Sequence, residues 1–168
     1  MYNKIQKDSK LLGIEIGVWE GTNSVRLLEQ FPNLTLIGID PFEEYQDWCG
    51  YVKSENINSR EKVANTVLKK YIDENRFKLI RKFSDKALLE LTDQSFDFIY
   101  IDGDHSYDWA LHDITNYWKL VKTGGILCGH DRSLEGVSRA LNQFIIDNNI
   151  SYVSTEQPQS DSWYIIKE

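Results

Sequence analysis

Apolar runs of strand length recur at Leu11 to Ile16, Leu34 to Ile39, Phe77 to Ile80, Phe96 to Ile101 and Ile126 to Cys128, most of them ending at glycine or aspartate. Runs this uniformly apolar predict buried parallel strands. The segments between them carry helical spacing: Val25, Leu28 and Phe31; Val63, Val67 and Tyr71; Ala87, Leu88 and Leu91; Ala110, Ile114, Tyr117 and Val121. Asn58 with Glu61 three residues later predicts the start of the second helix, and Ser84-Asp85 the start of the third. Such alternation implies right-handed crossovers and a mainly parallel sheet with helices on both faces, a doubly wound, three-layer α/β fold. A further helical pattern (Val137, Ala140, Leu141, Phe144, Ile145) precedes two short strand-like runs, Ser151 to Thr155 and Trp163 to Ile166, which predict a terminal antiparallel hairpin. The one long irregular region, Phe42 to Asn58, carries Phe42, Tyr45, Trp48 and Tyr51. It reads either as a packed surface loop or as a substrate cover.

Length and composition narrow this picture. The 168 residues suit one domain spanning 1–168, which would bury about 70% of the unfolded chain's surface. A net charge of -7 excludes a general binder of nucleic acid or membrane surfaces, because no basic stripe meets a phosphate backbone. Cys49 and Cys128 are too few for a disulfide framework or a four-cysteine zinc site. The first ten residues lack the apolar core of a signal peptide, and no uncharged apolar run approaches a membrane span, so a soluble cytoplasmic protein is expected.

Ligands of doubly wound sheets collect beyond the carboxyl ends of the strands. The first strand ends in Glu15-Ile-Gly17-Val-Trp-Glu20-Gly21, an E-x-G-x-x-x-G pattern distinct from the dinucleotide fingerprint G-x-G-x-x-G. Its glycines permit a ligand to approach the backbone, and its carboxylate could meet a cation. The second strand ends at Asp40, before Pro41, where an acid suits a ribose, whose two hydroxyls can both donate to it. The fourth ends in Asp102-Gly-Asp104-His105-Ser-Tyr107, and the fifth in Gly124-Gly-Ile-Leu-Cys-Gly-His130-Asp131. Parallel pairing would bring both groups to one edge.

These motifs resemble class I S-adenosylmethionine-dependent methyltransferases, and within them the small-molecule O-methyltransferases with a D-G-D-H-S-Y signature. The resemblance runs from about Leu11 to Asn148. It implies a Rossmann-like, seven-stranded, mainly parallel sheet, the terminal hairpin supplying its last two strands. It also implies that Glu15 and Gly17 contact the amino-acid part of S-adenosylmethionine, that Gly21 allows close approach, and that Asp40 binds the ribose. Phe83 and Ser84 would lie by the adenine, with Glu20, Pro41 and Asp102 completing the cofactor's surroundings.

Asp102 and Asp131, with His130 as a third, are the candidate metal ligands. Two carboxylates suit magnesium, whereas the histidine opens the choice to manganese, iron or zinc. Methyl transfer needs an acceptor oxygen in line with the carbon–sulfur bond and a route for its proton. Asp104 is the first candidate base and His105 the second, with His130 a further catalytic candidate. His112 reads as a surface or packed histidine. The expected activity is O-methylation of a small hydroxylated acceptor: a sugar, a phenol or a natural-product intermediate. The acceptor would be covered by residues 42–58, by a partner subunit in a homo-oligomer, or not at all. Two other readings stay open: a cofactor-binding module that has lost catalysis and serves as a partner or regulatory subunit, and other chemistry on the same fold.

Overall fold

The computed structural model describes residues 9–44, 46–47, 50–51, 54–91, 95–150 and 161–168. Five parallel strands, β1 (Leu11–Ile16), β2 (Leu34–Ile39), β5 (Phe77–Ile80), β6 (Phe96–Ile101) and β7 (Val121–Gly129), form one sheet with the antiparallel β8 (Trp163–Ile166), in the order β5-β2-β1-β6-β7-β8. Five helices complete the fold: α1 (Thr22–Gln30), α2 (Ser54–Asp73), α3 (Ser84–Leu88), α4 (Tyr107–Trp118) and α5 (Glu135–Asp147). The expected doubly wound α/β architecture is present, with six strands rather than seven in the large sheet among the described residues. The missing partner, Ser151 to Thr155, lies outside them. None of the described helices is long and apolar enough to cross a membrane.

Alternation along the strands divides the core. Ile14, Ile16, Ile37, Ile39, Ile99 and Ile101 face α3, α4 and α5, packing with Ala110, Ile114, Tyr117, Val137 and Phe144. Leu11, Leu34, Leu36, Phe98 and Tyr100 face α1 and α2, packing with Leu27, Leu28, Phe31, Ala64 and Leu68. Burial on both faces is why these strands read as continuous apolar runs. Arg76 ties the second layer to the sheet: its Nη2 donates to the carbonyls of Leu28 (2.6 Å) and Phe31 (2.8 Å), and its Nε to that of Leu34 (3.3 Å). One guanidinium therefore links carbonyls of the end of α1, the turn after it and the start of β2.

Three boundaries differ from those expected. The irregular region Phe42 to Asn58 contains a two-stranded antiparallel pair, β3 (Gln46–Asp47) and β4 (Gly50–Tyr51), and α2 begins at Ser54, before the Asn58 start signal. Tyr45 and Trp48 lie outside the described residues. Val121 belongs to β7 rather than to the helical stripe, because α4 stops at Trp118 and Val121 pairs with Phe96. β7 accordingly begins five residues before Ile126, its exposed first half hydrogen-bonding to Lys167, which neither apolarity nor burial announces.

Candidate functional site

Strand order reverses between β1 and β6: the chain leaves β1 toward β2 and leaves β6 toward β7 on the other side. Their carboxyl ends therefore diverge into a crevice. A cavity of about 850 Å³ opens there. Its walls come from the β1–α1 loop, Asp40 and Pro41 after β2, residues 82–86 around the start of α3, residues 102–105 after β6, and Trp109 and Asp113 of α4.

Gly17 makes the floor possible. Its φ is +86°, and a Cβ there would sit 1.9 Å from the Asp102 carbonyl oxygen. The neighbouring amides lock three strand ends together, Asp102 N donating to Ile16 O (2.8 Å) between β6 and β1, and Gly17 N to Ile39 O (2.9 Å) between β1 and β2. Gly21 is the position expected to allow close approach of the cofactor. It lies outside the cavity wall, and the group a Cβ would meet there is Leu68 of α2.

Asp40 organises the β1–α1 loop through its carboxylate. Oδ2 accepts the amides of Val18 (3.0 Å) and Trp19 (2.9 Å), and Oδ1 accepts that of Phe42 (2.9 Å). Trp19 and Phe42 both adopt left-handed backbone conformations, with φ of 54° and 45°. For aromatic residues such conformations are strained and need outside support, which the carboxylate gives. Trp19 is 49% exposed, yet its ring carries the Arg60 guanidinium 3.3 Å from its centroid, and Arg60 also pairs with Glu20 (3.5 Å).

Glu15 is completely buried but outside the cavity wall. Strand alternation sends it to the α1 side with Leu11, where Asn23 Nδ2 donates to its Oε1 (2.7 Å) and the Ser24 hydroxyl to its Oε2. It thus fastens the first turn of α1, including Asn23 of the cavity wall, and does not itself line the cavity. Burial pushes its pKa up from 4.5 to about 7, opposed by the Ser24 and Asn23 hydrogen bonds and helped by the Asp102 charge. The folded chain therefore holds the Glu15 proton where the unfolded chain has lost it, so stability falls as pH rises from 4.5 toward 7. Glu15→Gln should remove that slope: urea denaturation from about pH 5 to about pH 8 should show the variant gaining roughly 3 kcal/mol on the parent. Parallel curves would show that Glu15 does not titrate in this window.

The acidic residues after β6 and β7 meet, with one exchange. Asp102, His105 and Asp131 each offer a ligand atom within 4.8 Å of the others. His105 Nε2 lies 2.9 Å from Asp131 Oδ2 and 4.0 Å from Asp102 Oδ1. His130 falls instead into a group with Asp131 and Asp161, its Nδ1 3.2 Å from Asp131 Oδ1. Asp131 has a φ of 56°, a turn that separates the direction of its side chain from that of its neighbour. His130 and Asp131 lie outside the cavity wall, whereas Asp102, Asp104 and His105 form part of it. Asp104 Oδ1 accepts the amide of Ser106 (2.7 Å), the residue preceding α4, while its Oδ2 is buried with no hydrogen-bond partner among the described residues.

Two residues not singled out from the sequence shape the site. Asp113, 2% exposed, interrupts the buried stripe of Ala110, Ile114 and Tyr117 and reaches the cavity. An acid at a core position of a helix was the available signal. Gly136 in the first turn of α5 packs against the chain at His105: a Cβ there would lie 2.2 Å from the His105 carbonyl oxygen.

Residues 14–132 match the family model described as a methyltransferase domain. An uncharacterized protein of Acanthamoeba polyphaga mimivirus is 31% identical over 153 residues, which cover 86% of this chain and 63% of that protein. The chain thus spans less than two thirds of that relative's length. Among solved structures, the O-methyltransferase NovP has a TM-score of 0.68 at 16% identity, covering 98% of this chain and 73% of its own. TomG of Streptomyces achromogenes, an O-methyltransferase of tomaymycin synthesis in complex with SAM, has a TM-score of 0.65 at 16% identity, covering 94% and 73%. An O-methyltransferase from Bacillus cereus in complex with SAH has a TM-score of 0.63 at 14% identity, covering 91% and 71%. At these identities the solved structures establish the shared fold.

Proposed function

The chain belongs to the methyltransferase-domain family, and from that premise we propose that it is an S-adenosylmethionine-dependent O-methyltransferase of the D-G-D-H-S-Y branch, acting on a small hydroxylated acceptor such as a sugar, a phenol or a natural-product intermediate. One observation carries the reading: a single cavity joins the glycine loop and Asp40 to the Asp102–His105 segment. The complexes of TomG with SAM and of the Bacillus cereus enzyme with SAH support the cofactor. Bound here, S-adenosylmethionine would supply a methyl group on a sulfonium.

The chain's own residues then divide the work. Asp40, three of whose roughly four acceptor positions hold backbone amides, keeps one for a ribose hydroxyl. Pro41, Phe83 and Ser84 flank the adenosine, and Gly17, Glu20 and Asp102 surround the amino-acid end. Glu15 acts from behind by fixing Asn23 and Ser24. Asp104 Oδ2 is the acceptor for the substrate's proton, since a buried carboxylate oxygen without a partner is poised to take one. Two carboxylates and an imidazole fit a divalent cation, so Asp102, His105 and Asp131 are the residues that would hold one. Such an ion would lower the pKa of a bound hydroxyl. The imidazole favours manganese, iron or zinc over magnesium.

Titration calorimetry with S-adenosylmethionine tests the reading, and absence of binding at about 1 mM would sink it. Asp40→Ala should weaken that binding about 10- to 50-fold, because three amides lose a charged acceptor and the strained loop loses its support. Methyl transfer to a panel of hydroxylated acceptors, with and without magnesium or manganese, then tests the acceptor class and the metal. Binding without transfer to any acceptor would favour a non-catalytic module.

A further inference from the structure

Gly136 is the only glycine within the described helices, where glycine is the least favourable residue after proline. Space explains it. A Cβ there would lie 2.2 Å from the His105 carbonyl oxygen, 2.9 Å from the Tyr107 amide nitrogen and 3.1 Å from the Ser106 carbonyl carbon. All three are backbone atoms, so no side-chain rotation makes room. Each side of this contact is fastened to one part of the Asp102, His105 and Asp131 group. On one side, Leu134 N donates to Asp131 O (3.0 Å) and Ser138 N to Leu134 O (2.8 Å), joining Asp131 to the start of α5. On the other, Ser106 N donates to Asp104 Oδ1 (2.7 Å) and Ala110 N to Ser106 O (2.9 Å), joining the chain at His105 to α4. Arg139, three residues beyond Gly136, holds its guanidinium 4.8 Å from the Tyr107 ring centroid and draws the same two sides together. The contact of His105 Nε2 with Asp131 Oδ2 (2.9 Å) spans the junction.

We propose that Gly136 is a positioning residue for the cation group: its missing side chain seats α5 against residues 105–107 closely enough for the His105 imidazole to join Asp131 and Asp102 as a ligand. The assignment rests on the reading of those three residues as cation ligands and adds the residue that brings the imidazole to them. A methyl group at Gly136 is relieved only if the two sides part by roughly 1 Å, against the ~0.2 Å that metal–ligand bonds tolerate. The imidazole then falls out of reach while the two carboxylates remain.

The test is titration of the parent chain, Gly136→Ala, His105→Ala and Ala140→Gly with manganese alone, the bound ion being read by the spin-echo modulation that a ligating imidazole nitrogen produces. The parent should show nitrogen coupling and His105→Ala none. Gly136→Ala should bind manganese about 10- to 100-fold more weakly and lose the coupling. Ala140→Gly, which weakens the same helix at a buried position without adding bulk, should match the parent in both. If the Gly136→Ala chain does not fold, Arg139→Ala loosens the same junction from an exposed position and should weaken manganese binding about two- to fivefold. Gly136→Ala with the parent's affinity, or with weaker binding but intact nitrogen coupling, would overturn the proposal and leave the ligand reading standing. Coupling that survives His105→Ala, an Ala140→Gly chain as impaired as Gly136→Ala, or an Arg139→Ala chain without effect where it is the variant that folds, would overturn it too. Failure of the parent to bind manganese would overturn the cation reading and the proposal together.

Discussion

Gly17→Ala should eliminate measurable S-adenosylmethionine binding and lower the unfolding free energy by roughly 3–5 kcal/mol. Two costs combine. The backbone at Gly17 has a φ of +86°, where a side chain is strained whatever space surrounds it, and the space is already filled, with the Asp102 carbonyl oxygen 1.9 Å from the new methyl. Asp102 cannot yield cheaply, because its amide is bonded to Ile16 O across β1 and β6. Relief requires the two strand ends to separate, and these are the ends that define the cavity. Urea denaturation reads the first effect and calorimetry the second. A variant that unfolds within about 1 kcal/mol of the parent and still binds would show that the junction relaxes more easily than its backbone contacts imply.

The strands were legible because burial on both faces leaves few polar positions to blur the runs, and the acids at their ends lie along one edge as parallel pairing requires. What escaped the sequence depends on direction rather than position. Glu15 has the right neighbours for a ligand contact, yet alternation turns it toward Asn23 and Ser24. His130 lies next to Asp131, but the left-handed turn at Asp131 places His105 in the Asp102 group instead. The amides held by Asp40 come from residues 18, 19 and 42, which no spacing rule connects. Asp113 was legible in principle, as the one charged residue among the buried positions of α4, and its meaning appears only beside Ser84 and the cavity.

Asp104→Asn should reduce methyl transfer by about 100- to 10,000-fold while leaving S-adenosylmethionine affinity within about twofold of the parent. The carboxylate's two oxygens have separate tasks. Oδ1 accepts the Ser106 amide at the start of α4, and an asparagine carbonyl oxygen can do the same, so the loop between Gly103 and α4 should keep its shape. Oδ2 is buried without a partner among the described residues, and there the substitution puts an amide nitrogen that donates where the acid would accept. The acceptor hydroxyl then has no base for its proton as its oxygen approaches the methyl carbon. Asp104→Ala should lose both tasks, with a comparable loss of turnover and a less stable loop. Single-turnover transfer with saturating cofactor isolates the chemical step from binding. Turnover by Asp104→Asn within about threefold of the parent would remove Asp104 as the base, leaving His105 or a metal-held hydroxyl to carry the deprotonation.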